Sequence, residues 1–250
     1  MKHLIEKNRT IPFHIKLADM VVRMEPIYDY IQKYCEEYIT NEKETVTVRI
    51  ESEDIVFERE HSVKEYTKFA KESLKSENFV TEIPIVQFSD AYLETLAVYR
   101  KIAEQFPFFN RLLFHGSAIA VDGEGYLFTA KSGTGKSTHT RFWREYFGNR
   151  AVMINDDKPL LEVTDKGIIA YGTPWNGKHR LSTNIAVPLK AICILTRDKE
   201  NYIEKIKPSE AYQMLLQQTY RPMDRIALVQ TLKLIDELMK KVTFYKLGCN

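Results

Sequence analysis

Three features of the sequence predict an α/β fold: a nucleotide-binding core preceded by a smaller α+β domain. Past about residue 90, short apolar strands alternate with amphipathic helices. The apolar strand Leu127-Phe128-Thr129-Ala130 runs into a loop of small residues, and a helical pattern follows from Lys136. The first ninety residues mix strand and helix signals without that regularity. The expected division is therefore an N-terminal α+β domain over 1–88, a candidate for acceptor binding, and a nucleotide-binding domain over 89–250.

Taken in order, Ile11 to Met24 reads as an extended pair or one long strand. Pro26 to Ile39 reads as a helix, because Ile27, Tyr30, Ile31, Tyr34 and Tyr38 recur at helical spacing. Thr45 to Ile50 alternates Val46, Val48 and Ile50, the period of a half-buried strand. The charged stretch from about His61 to Phe79, with its lysines from Lys64 to Lys75, reads as an exposed helix or connecting segment. Ala91 to Phe106 is a predicted helix rich in leucine and alanine. Strands are expected at 117–121 and 126–130 around an Asp122-Gly123-Glu124-Gly125 turn. The helix from Lys136 to Phe147 should stop at Gly148, a residue suited to the position past a helix end. Short strands follow at 151–155, 160–163 and 168–171. A further strand at 191–196 is expected to pair with 202–206. Helices at 208–219 and 223–241 and a strand at 242–247 complete the pattern.

Composition narrows the function classes. With 44% hydrophobic and 28% charged residues, the 250-residue chain has the make-up of a globular protein with a substantial core. A net charge of +2 gives no electrostatic basis for nucleic acid or an anionic membrane as main partner. Cys35, Cys193 and Cys249 are far apart and form no CxxC pair, which argues against a disulfide framework or a zinc ribbon. The opening residues contain no apolar stretch of signal-peptide length, and no segment nears the ~20 apolar residues that span a bilayer. A cytoplasmic protein is expected, and a homo-oligomer is compatible with the sequence.

The loop Ser132-Gly133-Thr134-Gly135-Lys136-Ser137-Thr138 carries the strongest chemical signal. Glycines let successive backbone N–H groups turn inward on phosphate oxygens, and the helix N-terminus adds partial positive charge. Lys136 would reach the β- and γ-phosphates, and the Ser137 hydroxyl would ligate Mg²⁺. The strict P-loop pattern begins with glycine, whereas Ala130 stands there; alanine is tolerable if its φ is negative.

Eighteen residues past Ser137 the strand Ala151–Ile154 ends in Asn155-Asp156-Asp157. A carboxylate at a strand tip beside the loop suits Mg²⁺, and a second could take the proton of an attacking hydroxyl. The two jobs cannot be divided between Asp156 and Asp157 from sequence. His115, in His115-Gly116-Ser117, would project toward the loop to orient an acceptor or carry a proton, or it is a structural histidine. Thr173-Pro174-Trp175-Asn176-Gly177-Lys178-His179-Arg180 combines an aromatic, an amide, a glycine and cations at a strand end. Lys178 or Arg180 could neutralise transition-state charge there, with Trp175 alternatively a plug in the core.

The order His115-Gly116-Ser117, hairpin, Ser-Gly-x-Gly-Lys-Ser loop and strand ending in Asp-Asp resembles the HPr kinase/phosphorylase group, related to phosphoenolpyruvate carboxykinase. The later pattern Gly172-Thr173-Pro174-Trp175-x-Gly177-Lys178, with Pro188-Leu189-Lys190, looks like the shorter HPr-kinase-related branch, which includes kinases of serine in peptides or of small hydroxyl compounds. The resemblance covers about residues 112–250. It implies a P-loop core of the HPr kinase/carboxykinase type, ATP and Mg²⁺ as cofactors, an aspartate of the pair as base, and His115 nearby. The expected function is an ATP- and Mg²⁺-dependent kinase with a hydroxyl-bearing acceptor: a peptide, a protein or a small molecule. Two alternatives remain, a catalytically weak nucleotide-binding regulatory module and a carboxykinase-like enzyme.

Overall fold

A computed structural model describes residues 9–61 and 88–250. The charged stretch at His61 to Phe79 lies, past residue 61, outside the described residues. The chain divides into two compact units, one of residues 1–16 and 20–102, the other of 17–19 and 103–250.

The first unit contains a four-stranded sheet in the order β3-β1-β2-β4, from β1 (Phe13–Leu17), β2 (Met20–Glu25), β3 (Ile39–Thr40) and β4 (Val46–Arg49). Between β2 and β3 the predicted fourteen-residue helix is reduced to α1 (Tyr30–Tyr34) and a 3₁₀ turn at Glu36–Tyr38. The cause is a tertiary hydrogen bond outbidding helical periodicity. Glu94 accepts the N–H groups of Ile27 at 2.5 Å and Tyr28 at 3.1 Å, which holds this entry segment outside the helix. Glu94 belongs to α3 (Asp90–Gln105), which follows a helix α2 whose described part covers 52–61. Arg100, on the same helix, bonds Glu58 at 2.8 Å and Asp54 at 2.9 Å, so its half-buried guanidinium is neutralised twice.

The second unit is mixed α/β. Six strands run β12-β13-β11-β7-β6-β8: β6 (Ser117–Val121), β7 (Glu124–Thr129), β8 (Ala151–Asn155), β11 (Ala186–Arg197), β12 (Tyr202–Ile206) and β13 (Thr243–Cys249). β7, β11 and β13 are parallel to one another; β6 is antiparallel to both β7 and β8. Residues 186–188 of β11 also pair with β10 (Gly167–Tyr171), which continues to β9 (Leu160–Thr164) and β5 (Arg111–Leu113). The β6–β7 hairpin turns on Asp122 and Gly123, with φ of +53° and +83°. Two left-handed central residues match the twist of the strands they join.

Pairing of 202–206 with 191–196 does not occur. β12 pairs with β13, which lies between β12 and β11. The four residues between β11 and β12 can reach about 13 Å, enough to step over two strand spacings of about 10 Å. The vacant lane is filled by β13.

Alternation along the strands sorts side chains to two faces. Ile119, Phe128, Met153, Cys193 and Leu195 pack on one face with Trp143 of α4 (Lys136–Phe147) against them. Ala118, Leu127, Ile154, Ile192 and Ile194 point the other way. They meet Leu215 of α5 (Pro208–Gln218), Leu234 and Leu238 of α6 (Arg225–Lys241), and the inner residues of β9 and β10. The α6 start is fixed by Asp224, whose carboxylate accepts the Ala227 N–H at 2.8 Å. Cys35 and Cys193 are buried free thiols, the latter within the apolar run 191–195. Among the described residues, no helix is long and apolar enough to cross a membrane.

Burial pushes the Glu94 carboxyl up to about 7, against the pull of the two N–H donors and of Arg9. Between the ordinary glutamate value and about 7 the folded chain thus binds a proton that the unfolded chain has lost. Stability contributed by this group is full at low pH and declines as pH rises through that window. The wild-type protein should lose this increment between about pH 4.5 and pH 7, while Glu94→Gln removes the slope. Urea titrations across that range provide the measurement.

Candidate functional site

The site gathers at the ends of β7 and β8 and the start of β6, all within the second unit. Ala130 is fully buried, and its φ is not positive, so its methyl group fits where the strict pattern has glycine. Gly133 and Gly135 have φ of +76° and +110°, with no atom within 4 Å of an added Cβ. Their requirement for glycine is thus one of backbone conformation rather than space. Inside the loop, Thr134 donates its hydroxyl to the Lys131 carbonyl at 2.8 Å. From outside, Arg197 at the end of β11 donates to the Gly133 carbonyl at 2.8 Å. Helix α4 starts at Gly135 with no side-chain cap, leaving the N–H groups of its first turn to face the loop. Lys136 folds back to the Ala130 carbonyl at 3.2 Å. Burial lowers its pKa, Lys158 adds to that, and Asp157 and Asp156 oppose it.

Ser132, Gly133, Thr134, Gly135, Lys136, Ser137 and Thr138 therefore form one continuous strand–loop–helix corner, with Ser132, Gly133 and Thr138 exposed. Asp156 reaches that corner through hydroxyl groups that sequence reading did not single out. Asp156 is 7% exposed, and its Oδ1 accepts the Ser117 hydroxyl at 2.6 Å. The Ser117 Oγ lies 2.8 Å from the Thr140 Oγ1, which in turn is 3.3 Å from the Ser137 carbonyl. A buried chain of hydroxyls thus connects the end of β8, the start of β6 and the first turn of α4. Ser117 adjoins the His115-Gly116 pair, and Thr140 lies one turn past Lys136, but only the folded sheet brings them together.

Asp157 is held differently. The Asn155 side-chain oxygen accepts the N–H groups of Asp157 at 2.8 Å and Lys158 at 2.6 Å. The same Asn155 donates its amide to the Thr173 carbonyl and hydroxyl at 2.9 and 3.0 Å. One fully buried amide thus fixes both the aspartate turn and the base of the 173–180 loop. Gly177 of that loop lies against Asp157: a Cβ added there would stand 3.1 Å from the Asp157 Cβ. Burial raises the Asp157 pKa; Lys158 and Lys136 pull it down, and Asp156 pushes it up.

His115 Nε2 is 3.3 Å from Asp157 Oδ1. Burial and the nearby Lys158 and Lys136 ammonium groups push the His115 pKa down to about 3, with the Gln218 side chain pulling the other way. The imidazole is therefore neutral across the physiological range, and its approach to Asp157 is a close polar contact rather than an ion pair. The histidine backbone is fixed as well: its N–H donates to the Gln218 carbonyl at 2.7 Å, and its carbonyl accepts the Thr129 hydroxyl at 3.1 Å. Lys178 and Arg180 are exposed. Among the described residues neither forms an ion pair with the aspartates. Trp175, by contrast, is 4% exposed and sits in the core.

The family model of SynChlorMet cassette protein ScmC matches residues 81–249, more than half of the chain, and the chain belongs to that family. No curated protein matches it. Among solved structures it is similar to the HPr(Ser) kinase/phosphatase from Coxiella burnetii, with 13% identity over 51% of this chain and 92% of that chain. The TM-score of 0.30 is too low for that superposition to bear on the site.

Removing the Ser117 hydroxyl leaves a buried carboxylate oxygen without its donor, which costs about 1–3 kcal/mol. Ser117→Ala should lower the unfolding free energy by that amount. A second substitution, Gly135→Ala, should cost about 1–2 kcal/mol through its left-handed φ alone. Chemical denaturation of each variant measures both.

Proposed function

We propose that this ScmC-family chain is an ATP- and Mg²⁺-dependent kinase of the HPr-kinase-like type, acting in the cytoplasm on a hydroxyl acceptor in a peptide, a protein or a small molecule. The observation that carries the reading is the hydroxyl chain joining an uncapped helix N-terminus to the Asp156 carboxylate. The N–H groups that would face phosphate and the acid that would face the metal are thereby held in one frame.

The residue types fit the group. Inward N–H groups and the Lys136 ammonium suit the oxygens of a triphosphate, and Ser137, Asp156 and Asp157 offer the hard oxygen ligands that Mg²⁺ takes. Bound Mg²⁺ would neutralise charge on the β- and γ-phosphates. The chain's own residues do the remaining work. The loop and Lys136 hold the triphosphate, and Asp156, tethered by Ser117, serves the metal side. Asp157 accepts the proton of the acceptor hydroxyl, whose oxygen forms the new bond to the γ-phosphorus as the bond to the departing diphosphate breaks. Desolvation makes this carboxylate a stronger base than an exposed one. Neutral His115 at 3.3 Å fixes its orientation. Lys178 and Arg180, on the loop whose Gly177 rests on Asp157, are the cations available to meet charge developing in the transition state.

Lys136→Ala should abolish ATP turnover, and Asp156→Asn and Asp157→Asn should abolish phosphoryl transfer, each by about 100-fold or more. Transfer of labelled γ-phosphate into a lysate, alongside phosphate release, measures both activities. Wild-type turnover in all three variants would overturn the assignment.

A further inference from the structure

We propose that a half-open cavity beside the phosphate loop, between α5 and the β11–β13–β12 end of the sheet, binds the nucleoside half of the triphosphate. The inference rests on the nucleotide-binding reading and extends it to the base. At about 410 Å³ the cavity falls in the range of small-molecule sites. Lys131, the residue that opens the phosphate loop, forms part of its wall, so the cavity and the loop are contiguous. Its lining mixes the apolar Ile194, Ile206 and Met214 with the amides of Gln213 and Gln217 and with the charged Glu204, Glu210 and Lys246.

The order of strands gives the direction in which a nucleotide must lie. The reactive end of the triphosphate belongs at Asp156 and Asp157, past the end of β8. The loop that holds the phosphates follows β7, two places along the sheet from β8. A triphosphate with its γ end at β8 and its body in the loop has its nucleoside end directed to β11, β13 and β12. That is the side on which the cavity lies. The acceptor hydroxyl must approach from beyond the γ-phosphate, which leaves this side to the base.

The lining suits a purine or pyrimidine. A flat ring gains most from apolar contact on its face and from polar groups at its edge. The three apolar side chains provide the face. Gln213 and Gln217 are four residues apart and so lie on one side of α5. Each amide both donates and accepts, as a base edge requires.

The test compares Mg-ATP with Mg-tripolyphosphate, which offers the phosphates without a base, by titration calorimetry on the full chain. Wild-type protein should bind Mg-ATP about tenfold or more tightly than Mg-tripolyphosphate. The double variant Gln213→Ala/Gln217→Ala removes the edge contacts, and Met214→Trp fills the cavity. Both should lose that margin while tripolyphosphate binding stays at the wild-type level. Because one variant deletes groups and the other adds bulk, failure of either to fold leaves the other to decide. Retention of the full margin in a folded variant overturns the proposal, as does equal affinity of the wild type for the two ligands. Absence of binding to both ligands would overturn the kinase reading along with it.

Discussion

The hydroxyl of Ser117 holds the site together. It lies fully buried on the strand that pairs with both β7 and β8, within hydrogen-bonding distance of Asp156 on one side and Thr140 on the other. Strand β7 delivers the phosphate loop and β8 the aspartates, yet neither pairs with the other. Only β6 between them can set their relative position. Sheet pairing fixes the spacing coarsely, and the two hydrogen bonds of Ser117 lock it. A buried polar group held on both sides is rigid because every other arrangement leaves one partner unsatisfied.

The charges around that frame oppose one another. Lys136 and Lys158 lie close enough to influence the same carboxyl, which Asp156 influences in the opposite sense. At His115 burial comes first and the same ammonium groups add to it, so the imidazole remains neutral and acts through geometry rather than charge. Such a cluster is costly to desolvate, and on the proposed reading a polyanionic phosphate with a divalent ion would change its balance. Arrangements of this kind favour binding over stability, as sites built for charged ligands generally do.

Local structure was legible in the sequence wherever one short segment carried it. The corner from Leu127 to Phe147 is a strand, a glycine loop and a helix in succession, and its pattern could be read directly. The β6–β7 hairpin was equally plain, because Asp122-Gly123 dictates its own turn. Groups whose role depends on distant partners were not legible. Asn155 carries no signal of its own in the sequence, though its amide ties residues 157 and 158 to Thr173. Ser117 and Thr140 are ordinary hydroxyl residues until β6 and α4 meet. The overextension of the helix predicted at 26–39 has the same origin in reverse, since nothing nearby announces that Glu94, far along the chain, will take the N–H groups of Ile27 and Tyr28.

The insertion of β13 between β11 and β12 sets an order of assembly. Among the described residues, β12 has β13 as its one neighbour in the sheet, and the two are separated by both helices α5 and α6. Residues 202–206 therefore leave the ribosome well before the strand they need, and closing that loop carries the entropy of a long separation. Until residues 243–249 arrive, β11 and β12 both present unpaired backbone, the condition under which strands recruit other chains. A chain interrupted after α6 would keep the glycine loop and the aspartates but expose two open edges. Its failure would be aggregation.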